Sequence, residues 1–406
     1  MRILMVHKYF HCQGVSTSYM FNLSGEMERH GHKVIHFAMQ DPRNEPSPYS
    51  FYFAKPIDFN VPGSVLQDFK KIAHALYSFD ARRHVERLIE AAHPEAVFLH
   101  TIYNHLTPSI LLAFKRFGLP VVQHLQDYFL ICPNYKLFAN GKLCERCRGG
   151  RFYNAILQAC CMGSLKRSAA QALVTAIHRV LKAYENNIDF FIAPSEFLKK
   201  KYLEFGFKGN IIHIPQAISL EGREPCYESE NYIVYFGWLK PEKGVATLIK
   251  SMAKVPHTRL LVIGDGEDRE RLERIAYFLG LNNVNFTGIK LGQDLLDTIR
   301  HARFVVVPSE WYEVFGMVTY EAFALGKPVI GSRIGATPEL VHDGETGLLF
   351  NPGDSDDLAE KIIYMLGHPH LVTEMGHNAR AMVEGKFSTE NNYRSIMKLY
   401  EDYYAR

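Results

Sequence analysis

No apolar run in this sequence approaches the ~18 residues that a membrane-crossing helix needs, so a helical membrane-spanning protein is excluded. Charge of one sign is also scarce. The net charge is +3 over 406 residues, too small an excess to imply nucleic acid as a partner. A signal peptide is missing too: Met1-Arg2-Ile3-Leu4-Met5-Val6 is short and gives way at once to polar residues, which reads as a first strand. A cytoplasmic chain is expected. In that compartment the seven cysteines are not expected to form disulfides.

What is present points to a packed globular chain of two domains. Hydrophobic residues make up 47% and charged residues 22%, and 406 residues exceed one typical core. Residues 2–9 read as a buried strand. Residues 17–30 have helical spacing, with Tyr19, Met20, Leu23 and Met27 on one face and Gly31 as the stop, and 33–39 form the next strand. This β-α-β opening suits a nucleotide-type α/β fold. Residues 41–62 have no period and read as a surface loop. Further strands are expected at 96–100, 121–125, 189–194, 211–215, 232–238, 259–263, 284–288 and 328–331. An amphipathic helix closes the chain over 388–404.

One stretch concentrates the chemistry. Residues 304–307 form an apolar strand that Pro308 and Ser309 end. Gly316 permits a tight turn, and a helix starts near Met317 and runs to Gly326. The free N–H groups at that helix start make an anion site. Glu313 lies before the turn and Glu321 one turn into the helix. Two acids at this spacing, set in Pro308-Ser309-x-x-x-Glu313-x-Phe315-Gly316 and followed by Gly326-Lys327-Pro328-Val329-Ile330, resemble the mark of retaining glycosyltransferase family 4. Gly335-Ala336-Thr337-Pro338-Glu339 and Asp343-Gly344-Glu345-Thr346-Gly347 are similar to that family as well.

The resemblance implies the GT-B architecture: α/β, two Rossmann-like domains with parallel sheets facing across a deep cleft. On that reading residues 1–216 form the acceptor-side domain, with a cysteine-rich insertion at 132–161. Residues 217–230 are the linker, 231–387 the nucleotide-sugar domain, and 388–406 a helix crossing back to the first domain. The resemblance also implies the roles. Lys243, with Gly244, and the amides of Phe315, Gly316, Met317 and Val318 hold the donor diphosphate. Glu321 holds the ribose hydroxyls, and Glu313 serves the reacting sugar. Gly264 belongs to a loop at the ligand's lip, and the backbone at Ile289 contacts the nucleobase. No cofactor is required for the chemistry.

The chain departs from the family at four places, one of them Gln216-Ala217-Ile218 where the family often has Asn-Gly. Only Gly14 stands where a glycine pair usually follows the first strand, and it reads equally as a turn residue. Gln126 stands in the catalytic place of a histidine that in the family hydrogen-bonds the donor sugar; glutamine can donate and accept such a bond but cannot titrate near neutral pH. His124, two residues earlier on the same side of the strand, either substitutes for it or packs in the core. Trp238 replaces an arginine, leaving Lys240 to supply the charge, although lysine cannot grip two oxygens in a plane.

Three more features stand beside this reading. Cys144-Glu145-Arg146-Cys147 has metal-knuckle spacing, and with Cys132 and Cys160 it would suit a structural zinc or an iron–sulfur cluster; the alternative is buried or free thiols, or a redox pair. Residues 142–182 carry eight basic residues against one acid, Glu145, with apolar residues interleaved. That pattern reads as a peripheral membrane contact at the inner face, or as the solvated side of a core helix. Asp354-Ser355-Asp356 looks like a metal motif, but it precedes a helix and reads as capping.

The expected partners are a nucleotide-sugar donor (a UDP- or GDP-sugar) and a glycan or lipid-linked acceptor in cell-surface polysaccharide synthesis. The rivals are an epimerase or phosphorylase on the same frame, a non-catalytic nucleotide-sugar-binding scaffold, and a metal-cluster interaction module.

Overall fold

The computed structural model describes residues 1–12, 14–59, 61 and 64–405. The last residue of the expected loop, Pro62, and the final residue of the tail, Arg406, lie outside the described residues. The chain forms two compact units. One comprises Met1–Leu137, Cys144–Pro215 and the tail from Thr389; the other comprises Phe138–Leu143 and Gln216–Ser388.

In the first unit, strands β1 (Arg2–Val6), β2 (Lys33–Phe37), β3 (Ala96–Leu99) and β4 (Val121–His124) precede a short hairpin of β5 (Phe138–Ala139) and β6 (Lys142–Leu143). That hairpin groups with the second unit. Strands β7 (Phe190–Ala193) and β8 (Ile211–His213) complete a six-stranded parallel sheet of order β2-β1-β3-β4-β7-β8. The helix Thr389–Tyr404 is seated in this unit. Its Asn392 accepts a hydrogen bond from the Tyr19 hydroxyl (3.1 Å) and donates to the Pro215 carbonyl (2.6 Å). Its Tyr400 hydroxyl donates to the Val97 carbonyl (2.9 Å).

The second unit has strands β9 (Tyr232–Phe236), β10 (Arg259–Ile263), β11 (Val284–Gly288), β12 (Val305–Val307), β13 (Val329–Ser332) and β14 (Gly347–Phe350). They form a parallel sheet of order β11-β10-β9-β12-β13-β14. Its inner strands β9 and β12 read as unbroken apolar runs because both faces are covered, whereas the edge strand β11 alternates half-buried and exposed residues. Tyr232, Val234 and Phe236 enter one core, and Ile233 and Tyr235 enter the other. Val305 and Val307 likewise oppose Val306. Each such side chain contributes roughly 1.5–3 kcal/mol by leaving water.

Asp354 caps the helix Ser355–Gly367, accepting from the Asp356 and Asp357 amides at 3.0 Å each, as the capping reading expected. The helix Pro369–Lys386 was not foreseen. Its buried positions are Met375, Gly376, Ala379 and Val383, a face of mostly small residues with a weak apolar signal. Among the described residues no helix is long and apolar enough to cross a membrane.

Candidate active site

In the second unit the chain runs from β9 outward to β10 and β11, then returns to place β12, β13 and β14 on the other side. The direction changes between β9 and β12. In open α/β sheets ligands gather at the carboxyl ends beside such a switch. Lys243 lies on the loop leaving β9, and Glu313 on the loop leaving β12. Lys243 Nζ sits 2.8 Å from Glu313 Oε1, and the Ser309 hydroxyl donates to the same oxygen at 2.6 Å. Lys243 also lies over the Trp311 ring, 5.0 Å from its centroid. Glu313 is 9% exposed. Burial pushes its carboxyl up, but Lys243 and the hydrogen bonds outweigh this and hold it below the ordinary value.

Backbone packing fixes this pair. Gly244 has φ +67°, and a Cβ there would stand 1.9 Å from the Pro308 carbonyl oxygen. The loops after β9 and β12 therefore touch main chain to main chain, joined by the Glu310 amide donating to the Glu242 carbonyl (2.9 Å). The loop after β13 closes on Glu313 from the other side. A Cβ on Gly335 (φ +62°) would lie 2.4 Å from the Glu313 nitrogen, and the Ala336 amide donates to the Glu313 carbonyl at 2.9 Å.

Gly316, at φ +100°, caps the helix Met317–Ala324 without a side-chain hydrogen bond. The first-turn amides of Met317 and Val318 have no partner within the helix. Phe315 stacks on Tyr320 (4.3 Å, 21°), which fixes the turn's entry. Burial pushes the Glu321 carboxyl up, with Arg223 acting against it. Lys240 Nζ lies 5.6 Å from the centroid of the exposed Trp238 ring. Gly264 follows β10, its amide donating to the Gly288 carbonyl (2.8 Å), and Ile289 stands exposed beyond β11.

The first sheet has its own switch, between β1 and β3. His7 leaves β1, His100 and Thr101 leave β3, and Gln126 lies past β4. Gln126 Oε1 accepts from Ser16 and from Thr101 (3.0 Å), and its Nε2 faces His100 Nδ1 at 3.2 Å. His7 Nε2 pairs with the Ser16 hydroxyl at 2.9 Å. Burial pushes His7 down to about 3 and His100 well below its usual value, so both rings are neutral. Gly14 caps the helix Val15–Arg29, its carbonyl accepting from Thr17 Oγ1 at 2.9 Å. His124 is a core residue: it is 1% exposed and packs on Tyr19 at 4.7 Å. Both of its ring nitrogens lack partners among the described residues. The apolar pattern extends these strands to 9 and 100, so His7 and His100 read as strand residues; the strands end at Val6 and Leu99, which frees both rings for the loops. Ser16 and Thr101 gave no local signal.

The family model described as Glycosyltransferase Family 4 matches residues 16–221, half of the chain. The model described as Glycosyl transferases group 1 matches residues 220–382. The chain belongs to glycosyltransferase family 4. An uncharacterized glycosyltransferase of Methanocaldococcus jannaschii is 32% identical over 218 residues, 53% of this chain and 60% of that protein. The capsular polysaccharide biosynthesis glycosyltransferase CapM of Staphylococcus aureus is 31% identical over 180 residues, 43% of this chain and 47% of CapM. These matches span less than two thirds of either relative. Among solved structures, sucrose-phosphate synthase of Thermosynechococcus elongatus matches with a TM-score of 0.71 at 21% identity, covering 100% of this chain and 99% of that one. Anabaena HepE in complex with UDP-glucose matches at 0.70 and 18% identity, covering 99% and 100%. These likenesses show the fold, which is GT-B.

The cysteine region of this family 4 chain lies largely in the first unit. Cys132 and Cys147 are buried, and each thiol is pushed up to about 12, first by burial and then by neighbouring cysteines. Cys144 and Cys160 act on both, so the four thiols of the expected set are near neighbours. Cys147 and Cys160 pack in a small core with Phe152, Ala155 and Ala172. Among the described residues, however, the one group of three ligand atoms all within 4.8 Å of each other is Glu26, His30 and Glu390. No three of the cysteine sulfurs are gathered that closely.

Proposed function

We propose that the protein transfers a sugar from a UDP- or GDP-sugar to a glycan or lipid-linked acceptor, with retention of anomeric configuration and without a catalytic metal. The observation that carries this reading is the Lys243–Glu313 pair at the second sheet's switch point, beside the uncapped helix Met317–Ala324. Charge grows on the departing diphosphate as the glycosidic bond breaks. Lys243 and the amides of Phe315, Gly316, Met317 and Val318 are fixed positive groups that can receive it. This is work a divalent cation would otherwise do. Glu321 is assigned to the ribose hydroxyls, with Gly264, Ile289 and Lys240 along the donor's remaining length. Glu313 positions the sugar or balances its positive charge. Its carboxylate is already bonded to Lys243 and Ser309, which favours front-face attack over a covalent intermediate.

The acceptor is assigned to the first unit, where Gln126 is assigned a catalytic role toward the donor sugar and Gly14 a role toward the donor. A peripheral membrane contact belongs to the same reading. Its support is a set of large apolar side chains left exposed there, among them Val65, Leu66 and Phe69 and, on the helix Leu165–Val180, Leu165, Leu173 and Val180. A structural metal at Cys132, Cys144, Cys147 and Cys160 is also retained, on the knuckle spacing and the mutual influence of the thiols.

A second reading, a non-catalytic nucleotide-sugar-binding scaffold, is favoured by Gln126, whose oxygen already accepts two hydrogen bonds and whose nitrogen faces His100. Incubation with a panel of nucleotide sugars separates the two. Release of nucleotide, stimulated by glycan or lipid-linked acceptors, is expected. Donor binding without release under every acceptor supports the scaffold, and isomerised nucleotide sugar would indicate an epimerase.

A further inference from the structure

At the amino ends of the second sheet, opposite the loops that carry Lys243 and Glu313, lies an open cavity of about 500 Å³. Small-molecule sites span roughly 300–1,000 Å³. The charge lining it is of one sign. Lys327, just before β13, and Arg303, just before β12, share it with Ser229 and Thr373, and no Asp or Glu lines it.

Lys327 is 2% exposed. Its Nζ donates to the Glu228 carbonyl at 3.0 Å, and no carboxylate pairs with it among the described residues. Arg303 has no ion pair among the described residues either. A cation this deep without a counter-charge is costly, and burial pushes the Lys327 amine down to about 8 against a small opposing effect of Cys226.

A third positive element faces the same space. The helix Pro369–Lys386 opens with proline in its first turn, no side-chain cap and no acid in the first turn, and Pro369, Val372 and Thr373 line the cavity. The dipole of that helix favours an anion there; Pro369 brings no N–H, and the Val372 amide is taken by the His368 carbonyl at 3.2 Å, so the charge of the site comes mainly from Lys327 and Arg303. Tyr227 and Met365 supply an apolar wall, and Tyr227 is held by stacking on His377 (3.6 Å, 24°).

We propose that this cavity is a second ligand site for a small phosphorylated molecule, its phosphate against Lys327, Arg303 and the start of the helix Pro369–Lys386 and its body against Tyr227 and Met365. Tyr227 and Ser229 belong to the polar stretch of the second unit that leads into β9, so an occupant would pin that stretch to the helix. The site is therefore suited to regulation by a metabolite that is neither donor nor acceptor. It stands independently of sugar transfer, since it uses none of the residues assigned to that reaction.

The probe is inorganic phosphate, titrated at constant ionic strength while thermal unfolding is followed. A saturable rise in Tm is expected. Lys327→Met and Arg303→Met should each remove more than half of that rise, while Lys243→Ala should keep it. Lys327→Met should also raise the starting Tm, because it removes a buried unpaired charge; a lysine that merely tethers Glu228 would instead leave the variant less stable and the phosphate response intact. If Lys327→Met does not fold, Arg303→Met decides alone, its side chain being only partly buried. The proposal is overturned by the absence of a saturable rise, by a rise that survives the variants, or by one lost in Lys243→Ala alone, which would put the phosphate at the candidate active site.

Discussion

Lys243 and Glu313 are 70 positions apart in the chain, yet Nζ and Oε1 lie 2.8 Å from each other. The contact exists because β9 and β12 are neighbours in the sheet and Gly244 lets the two loops touch. Removing one partner from a largely buried pair costs more than the pair itself contributes, since a charge is left uncompensated.

That asymmetry gives the first prediction. Lys243→Met should lower stability by about 3 kcal/mol, and Glu313→Gln added to it should restore most of the loss. In activity, each single variant should lose about 10²–10³-fold in kcat, and the double variant little more. Urea unfolding and single-turnover transfer measure the two effects. Near-normal turnover in Glu313→Gln would remove that residue from the mechanism.

Glu321 lies one turn into the helix Met317–Ala324 and is assigned to the donor's ribose. Glu321→Ala should raise the donor KM about tenfold, the loss of roughly 1.4 kcal/mol of hydrogen bonding to a charged group, with kcat little changed. An unchanged donor KM, or a collapse in kcat alone, speaks against the ribose role.

Asp127 tests the first unit. Burial pushes its carboxyl up to about 6, against the Tyr103 hydroxyl (2.7 Å), the Phe129 amide (2.8 Å) and Lys8, all of which favour the ionised form. The folded state thus binds the proton more tightly than the unfolded chain. Stability is therefore fully present below about pH 4 and falls as pH rises toward 6. Asp127→Asn should flatten that slope and be more stable at neutral pH by on the order of 3 kcal/mol. Chemical unfolding from pH 4 to 7 measures it; parallel curves for the two proteins would show that Asp127 does not titrate in this range.

Four thiols at Cys132, Cys144, Cys147 and Cys160 make a metal measurable. Elemental analysis of purified protein should find about one zinc, or the absorbance of an iron–sulfur cluster, lost in Cys144→Ser. Protein free of both retires the metal and leaves four buried or partly buried thiols.

Much of the fold was legible because it rests on local patterns. Tyr232–Phe236 and residues 304–307 are apolar on both faces, so each strand announces itself. The helix Pro369–Lys386 did not, because Gly376 and Ala379 make its inner face small; a Cβ on Gly376 would stand 2.4 Å from the Gly326 carbonyl oxygen. Most of the residues assigned to the donor were read from one local motif around Gly316, with Lys243 from a second one after β9. The network around Gln126 was not. It joins His7, Ser16, His100 and Thr101 from three separate segments, and no spacing in the chain encodes their meeting.

The exposed apolar residues of the first unit give the last prediction. Val65 is 87% exposed and Val180 81% exposed, large values for side chains that gain by leaving water. Leu173 and Val180 are seven residues apart and so lie on one line of the helix Leu165–Val180, which carries Lys166 and Arg167 and no acid; Arg179 is instead engaged with the Phe205 and Gly206 carbonyls. Such a helix should lie on an anionic bilayer, each base near the surface adding about 1 kcal/mol. Flotation should carry the protein with phosphatidylglycerol vesicles and not with phosphatidylcholine vesicles, and salt should weaken the association. Leu173→Ser with Val180→Ser should abolish flotation without altering transfer to a soluble acceptor. Unchanged flotation in that variant would place the contact elsewhere, and a dimer that the same variant splits would mean that a second copy of the chain covers this face.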